Sequence, residues 1–446
     1  MKVSKILSAA VASLALLTST PLNGFAYSSD QGGEALTDGT FSYELRDGSY
    51  TIIGCNVDAL VEEIPELRNG YAITAIDERA FASCYNIKTL YIPDTVTAIG
   101  DNAFSGCTSL EEIRLPSKIK NISDGMFMGC TSLKKIEIPD AVNTINSYAF
   151  YNCSVLTDVV LPGELSTISP MAFSECSSIE NIDASKCSSY VYEDGLLMNK
   201  SRTNIARASV KLMGDVYIPD GVTTIEAGSF SVCAGIERLF IPSSVEYIGD
   251  DAFGYCVSLK SIDFSEGLKT IAPIAFKNCT SLQTLDLPTT LTEIGDGAFY
   301  NCPTLSRVMI AENTQKIGEG AFVNCQSLPQ LSIPKSVTSI GDNAFGYALN
   351  EDGTYTAMEN FSLSVFSGSA GEKYAKKNDI ERSYIDRNLK SIAFITVGIG
   401  LILAAIVFAI VLMARNRKGA PASAKKAEKL AKQKEAEENY EKIIDN

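Results

Sequence analysis

Twelve cysteines and no histidine set the chemistry open to this 446-residue chain. Ten of the cysteines, at Cys84, Cys107, Cys130, Cys153 and Cys176 and then at Cys233, Cys256, Cys279, Cys302 and Cys325, follow one another at steps of 23 within each set. If the chain winds into stacked coils, residues one period apart lie about 4.8 Å from each other, and the ten thiols form one column. A column of thiols admits three readings. It can be a packing ladder, because free cysteine behaves as a small, buryable hydrophobe. It can be a run of neighbour-to-neighbour disulfides, which the Cα spacing permits, although parallel Cβ vectors fit the required dihedral poorly. A zinc site fits least, since the thiols are spread along a line rather than gathered around a point. We read the column as structural. The missing histidine also removes Ser-His-Asp and Cys-His catalysis and the commonest general base. Asp263 and Asp286, one period apart, resemble a paired-carboxylate arrangement, but a flat sheet face offers no cleft for glycoside chemistry. No catalytic residue, metal or cofactor is expected. The chain reads as non-enzymatic, with an extracellular hydrolase as the remote alternative.

The elements that would hold these residues are legible in the same repeat. Phenylalanine stands three residues before each of the ten cysteines, and again at Phe345, where the following slot is Ala348. The unit reads C-x-S-L-x-x-I-x-I-P-x-x-V-x-x-I-G-x-x-A-F-x-x, and a fixed period of this size means a solenoid. Alternation before the proline predicts a short strand, as at Ile113, Arg114 and Leu115, and Pro116 ends it because proline cannot donate to a ladder. The following V-x-x-I-G predicts a second extended piece closed by a glycine suited to positive φ. The D-x-A-F-x-x-C segment predicts a tight or single helical turn capped by aspartate. The fold class expected is therefore an α/β repeat solenoid with 23-residue coils, short parallel strands and short helical turns, plus one C-terminal transmembrane helix. No single coil buries enough to stand alone, so both ends need caps.

The domain reading follows. Residues 1–26 carry Lys2, Lys5, an apolar run and a small-residue cleavage site, the pattern of a signal peptide. Residues 27–75 form an N-terminal cap with a β-hairpin turning at Asp47-Gly48. Repeats occupy 76–184 and 216–348, separated by a hairpin insertion at 185–215; a C-terminal cap and linker cover 349–390. Residues 391–413 contain no charge and are long enough to cross a bilayer, and the nine basic against six acidic residues of 414–446 favour a cytoplasmic tail. The N-terminus is thus expected outside. Gly400-x-x-x-Ala404 and Ala405-x-x-x-Ala409 could let two such helices meet in a weak dimer, although ordinary lipid-facing filler has the same spacing. With −15 on the whole chain and positive ends, residues 27–413 carry −20, which excludes a nucleic-acid surface as the main design.

The stretch "IPDTVTAIGDNAFSGCTSLEEIRLP" and its copies resemble the BspA-like, or Treponema-type, leucine-rich repeat family, over roughly residues 40–380. The insertion "YVYEDGLLMNKSRTNIARA" and the ending "VFSGSAGEKYAKKN" are similar to that family as well. The resemblance implies a cell-surface protein that binds other proteins or cell surfaces, often an adhesin; it does not supply a ligand. On such strands the in-between residues face outward. One row runs Tyr91, Arg114, Glu137, Val160, Asp183, Tyr217, Phe240, Asp263, Asp286, Met309, Ser332, and a second row two places earlier includes Arg238. Tyr91, Arg114, Glu137, Tyr217, Arg238, Phe240, Asp263, Asp286 and Met309 are the candidate ligand contacts, with Tyr217 and Phe240 the apolar centre. Ordinary β-propensity on a sheet face is the plainer reading of that pair. Two functions stay open: a membrane-anchored receptor or adhesin for a protein or cell-surface ligand, and an envelope scaffold organising other proteins near the membrane.

Overall fold

Each coil is built from two extended pieces and a corner. In the computed structural model, which describes residues 36–350 and 352–386, the alternation in "KIE" gives the strand Lys135–Glu137, with Ile136 buried between two exposed residues. It lies parallel to Asp158–Val160 with Lys135 opposite Asp158, a step of one period. The second piece is the two-residue strand Thr144–Ile145, which pairs in parallel with Thr167–Ile168 and Asn121–Ile122. The same two ladders run on through the second set of coils. Period-2 alternation puts one side chain per short strand into the core, and the stacked coils share that core.

The corners are not helical, which corrects the α/β expectation. Every corner from Phe81 to Phe322 carries two left-handed residues four apart, one just before the Ala-Phe or equivalent pair and one two places after the phenylalanine; in the last corner they are Asn343 and Gly346, three apart. Asn102 (φ 56°) and Gly106 (φ 72°) are one such pair, Ile274 (φ 50°) and Asn278 (φ 59°) another. A left-handed residue breaks a right-handed helix, so the chain closes by successive i→i+3 bonds, as from the Ser105 N–H to the Asn102 carbonyl (3.0 Å) and the Cys107 N–H to the Phe104 carbonyl (3.2 Å). Among the described residues the helix Ala370–Lys377 is the one long enough to count, and the fold is a β-solenoid. No described helix is long and apolar enough to cross a membrane; the span proposed at 391–413, like the signal segment, lies outside the described residues.

The glycine of I-G also has a different role from the one its sequence suggests. Gly100, Gly249, Gly295, Gly318 and Gly341 do not adopt positive φ. A Cβ built on Gly318 would sit 2.4 Å from the Asp296 backbone nitrogen, and one on Gly341 2.3 Å from that of Glu319. The glycine lets the backbones of adjacent coils approach, as in other tight backbone contacts.

The phenylalanines stack as a column inside the corners. Ring centroids are 5.5 Å apart for Phe127–Phe150, 5.0 Å for Phe253–Phe276 and 5.3 Å for Phe276–Phe299, with near-parallel planes. At the front, Phe41–Arg46 and Ser49–Cys55 form a hairpin around Asp47 and Gly48, both at positive φ. The second strand of that hairpin pairs in parallel with Tyr71–Ile76, which in turn pairs with Ala98–Ile99, so the hairpin continues the two-residue ladder. At the back, Ser362–Val365 lies parallel to Gln330–Ser332. The helix after it starts at Ser369, whose hydroxyl accepts from the Glu372 N–H (3.2 Å), while the Glu372 carboxylate accepts from the Gly368 N–H (2.6 Å). These reciprocal bonds satisfy helix-end donors.

The two sets of coils meet at an irregular coil. The strands Tyr190–Glu193, Leu196–Asn199 and Asn204–Ala208 make an antiparallel meander whose last strand joins the two-residue ladder at Thr224–Ile225. Counting one period back from Phe230 lands on Arg207. Its side chain is buried (1 % exposed) and its guanidinium donates to the carbonyls of Cys176 (2.9 Å), Gly228 (3.0 Å) and Ser231 (3.4 Å). One cation therefore ties the last corner of the first set to the first corner of the second. No strand pairing links Asn181–Asp183 to Gly214–Tyr217, so side chains take over here: Ser209 Oγ and Tyr192 Oη both donate to the Glu180 carbonyl, at 2.8 and 3.1 Å.

Candidate ligand-binding face

The parallel register places the outward residues in rows, and side-chain chemistry divides the row into groups. Tyr91 lies opposite Arg114, whose guanidinium carbon is 4.6 Å from the centre of the tyrosine ring. Glu62, Glu63 and Glu112 line the shallow groove around them. Glu137 is exposed beside Val160 and joins neither this group nor the next.

Tyr217 and Phe240 lie opposite each other and stack with centroids 4.3 Å apart and planes within 6°. Tyr217 is 64 % exposed. Beside them the Arg238 guanidinium makes a two-point pair with the Asp215 carboxylate, the Nε contact being 2.7 Å, and lies 5.8 Å from the Phe240 ring. The pair with Asp215 holds the Arg238 charge more firmly than usual and fixes the edge of the aromatic platform. Asp263 lies opposite Phe240. Asp286 lies opposite Met309 and is held by Arg307 at 2.8 and 2.9 Å, while Arg307 also reaches the Met309 sulfur at 3.3 Å. Met309 is 57 % exposed. Asp286 is thus occupied by an arginine rather than facing Asp263 across a cleft. In the second set of coils the apolar elements of the face are the stacked pair and Met309, with carboxylates between them. Among the described residues no group of three or more His, Cys, Asp or Glu side chains could hold a metal ion.

The cysteine column lies elsewhere, at the corners. All ten cysteines are buried and none is in a disulfide. Burial pushes the Cys107, Cys153, Cys256, Cys279 and Cys325 thiols well above their ordinary pKa, and Cys130 up to about 12. Cys176 and Cys233 rise only to about 11, because the Arg207 charge opposes the burial. The thiols have a directional use that packing alone does not explain. Eight of the ten donate to the carbonyl of the phenylalanine one coil back, among them Cys107 to Phe81 (3.1 Å), Cys130 to Phe104 (3.2 Å), Cys176 to Phe150 (2.9 Å) and Cys302 to Phe276 (3.4 Å). Where the preceding coil has no phenylalanine, Cys233 turns to the Ser209 carbonyl (3.6 Å). At the far end Ala348 occupies the slot that would donate to Phe322, and the Phe345 carbonyl one coil further on accepts from the Tyr374 hydroxyl (3.1 Å). The S–H is a weak donor, and in most corners it adds a second bond to a carbonyl that already accepts a backbone N–H, as Phe104 does from Cys107 (3.2 Å), inside an apolar setting where each such bond counts. Replacing Cys302 with Ala should therefore cost about 1 kcal/mol through the lost bond and the small void, read as a lower midpoint in urea unfolding.

Arg207 escaped notice in the sequence because the hairpin shifts the repeat by eleven residues; counting back from Phe230 instead of forward from Phe173 would have found it. The cluster of half-buried Glu175 with buried Asp251 and Lys277, with Lys277 Nζ 3.3 Å from Asp251 and 4.0 Å from Glu175, has no such signal, since its members sit at different places in the repeat.

Parallel 23-residue coils with an exposed strand face define a leucine-rich repeat β-solenoid. The chain belongs to the family described as BspA type leucine-rich repeat region, whose model matches residues 74–199 and 223–352 in six copies, more than half of the chain. Among solved structures it is similar to a leucine-rich cell surface protein from Faecalibacterium prausnitzii (29 % identity, 71 % of this chain and 96 % of that one, TM-score 0.53). It is also similar to a leucine-rich repeat protein from Eubacterium ventriosum (26 %, 70 % and 95 %, TM-score 0.51). The pneumococcal vaccine antigen PcpA shares the fold (19 %, 79 % and 98 %, TM-score 0.59). No curated protein matches the chain.

Proposed function

We propose that this chain is a cell-surface, membrane-anchored, non-enzymatic repeat protein whose outward strand face holds a protein ligand through Tyr217 and Phe240. The observation that carries this reading is the stacked pair itself. Two large rings lie flat against each other on an exposed sheet face, with Tyr217 64 % exposed and Arg238 pinned alongside by Asp215. Aromatic side chains with a rigid charged neighbour are the usual composition of an interface centre. Membership of the BspA-type family and likeness to the Faecalibacterium surface protein support the location. The uncharged run 391–413, followed by Arg415, Arg417 and Lys418, supports the anchor. The function-testing experiment compares wild type with the Tyr217→Ala, Phe240→Ala double variant in crosslinking capture of surface proteins from intact cells. Capture should fall at least tenfold, about 1.4 kcal/mol, while the urea midpoint stays within error. Unchanged capture by the folded variant removes this face from consideration.

The envelope-scaffold reading draws on the short stretch between Glu381–Tyr384 and the run at 391–413, which keeps the repeats near the membrane. Protease added to intact cells separates the two. An adhesin must be clipped, and protection of the repeats would favour the scaffold.

A further inference from the structure

The thiol chain along the corners has one end that the repeat leaves open. Each later cysteine donates to a phenylalanine carbonyl in the coil before it, but Cys84 belongs to the first coil and has no such carbonyl behind it. Its sulfur reaches only the Asn56 carbonyl, at 3.9 Å. A second thiol meets it there. Cys55, the last residue of the hairpin strand Ser49–Cys55, donates to the same Asn56 oxygen at 3.5 Å, so the two sulfurs converge on one acceptor. The hairpin delivers it to this point through the bond from the Cys55 N–H to the Ala80 carbonyl (2.7 Å). Cys55 is off the 23-residue period, where the slot one coil before Cys84 is Val61. Cys84 is fully buried, whereas Cys55 is partly open to solvent.

We infer that Cys55 and Cys84 form an oxidisable pair, closed by a low-molecular-weight disulfide or an exported thiol–disulfide oxidoreductase, that locks the N-terminal hairpin onto the first coil. The exposed member is the point of entry. The Cys55 thiolate attacks one sulfur of the incoming disulfide RSSR, forming Cys55–S–SR and releasing RS⁻. The Cys84 thiol, giving up its proton, then attacks the Cys55 sulfur and expels a second RS⁻. Two protein thiols become one disulfide, RSSR is reduced to two RSH, and the two protons leave with them. Within the ladder the thiols are buried and point at carbonyls, so the reaction is confined to the front end. That end is where a stack of coils frays first, because its cap has a neighbour on one side only. The pKa of Cys55, raised first by the neighbouring Cys84 thiol and then by burial, makes the exchange slow, so it is run at alkaline pH.

The test uses the full-length chain purified with reductant and then incubated with oxidised glutathione at pH 8.5, followed by non-reducing peptide mapping. The expected product is a peptide pair joined through Cys55 and Cys84, with the other ladder cysteines still free to label after unfolding. Oxidised protein should melt about 5 °C higher or more, as expected for closing a loop of this length, and Cys55→Ser should abolish both the linked peptide and the shift. A stable glutathione adduct on Cys55 without the linked pair, or links between successive ladder cysteines, would overturn the inference. The wild-type map is decisive even if the variant folds poorly.

Discussion

Replacing Arg207 with Ala is expected to destabilise the chain by about 3–5 kcal/mol and to split its unfolding into two transitions. A stack of coils is held by nearest-neighbour interfaces; within each set most of these are parallel strand pairs and ring stacks, and where one strand pairing lapses, as between Glu112–Arg114 and Lys135–Glu137 or between Arg307–Met309 and Gln330–Ser332, the chain between them keeps the 23-residue step. At the junction neither ladder joins the strands of the first set directly to those of the second. The phenylalanine stack is interrupted as well, with Phe173 closing one run and Phe230 opening the next. Arg207 fills that place with three bonds to carbonyls on both sides. Charge-assisted bonds are worth more than neutral ones, and removing their donor leaves three buried acceptors without it. The cost of burying a guanidinium offsets part of this, which keeps the estimate below a simple sum of bonds. Arg207→Lys, with a point charge that cannot span three carbonyls, should fall between. Urea unfolding followed by circular dichroism, with hydrogen exchange resolving the segments, distinguishes the outcomes. A single transition displaced by under 1 kcal/mol in Arg207→Ala would mean that the small polar bonds of Ser209 and Tyr192 already couple the two sets.

What could be read from the sequence, and what could not, divides along the same physical line. The period of 23, the buried Phe and Cys columns and the outward rows depend on which side chains recur, and recurrence is visible without coordinates. The corner conformation depends on φ, and the sequence disguises it. Left-handed positions are occupied by Asn102 and Gly106 but also by Ile274 and Val232, residues that resist that conformation, so the sequence leaves a tight turn and a single helical turn equally open at the corner. Gly318 and its equivalents looked like turn glycines because spacing cannot distinguish a need for positive φ from a need for room. The thiol-to-carbonyl bonds were hidden for a related reason. Cysteine and alanine are alike as fillers, and only the direction of the S–H separates them. On the ligand face, the row containing Tyr217 and Phe240 was readable, whereas the pairing of Arg238 with Asp215 and of Arg307 with Asp286 required the register of facing strands.

Asp251→Asn should flatten the pH dependence of stability and, at pH 7.5, leave the protein at least as stable as wild type. Asp251 is fully buried; burial raises its pKa from 3.8 to about 6, Lys277 opposes the rise, and Glu175 adds to it. Lys277 Nζ is 3.3 Å from Oδ1, yet that oxygen has no aligned hydrogen bond, while Oδ2 accepts from Ser231 at 3.3 Å. The ammonium therefore only partly compensates for the lost water. Because the folded-state value lies above the unfolded one, the native protein binds more protons than the unfolded chain between about pH 4 and 6. Stability from this group is greatest at the acid end and falls as pH rises through that window. The shift corresponds to about 3 kcal/mol at most. Wild type should thus gain stability between pH 7.5 and 5 from this group, and Asp251→Asn should not. Urea midpoints for both proteins across that range read the difference directly. If the variant instead loses stability at pH 7.5, the ion pair with Lys277 outweighs the burial of the carboxylate, and the junction between the two sets of coils is held by charge at both Arg207 and Asp251.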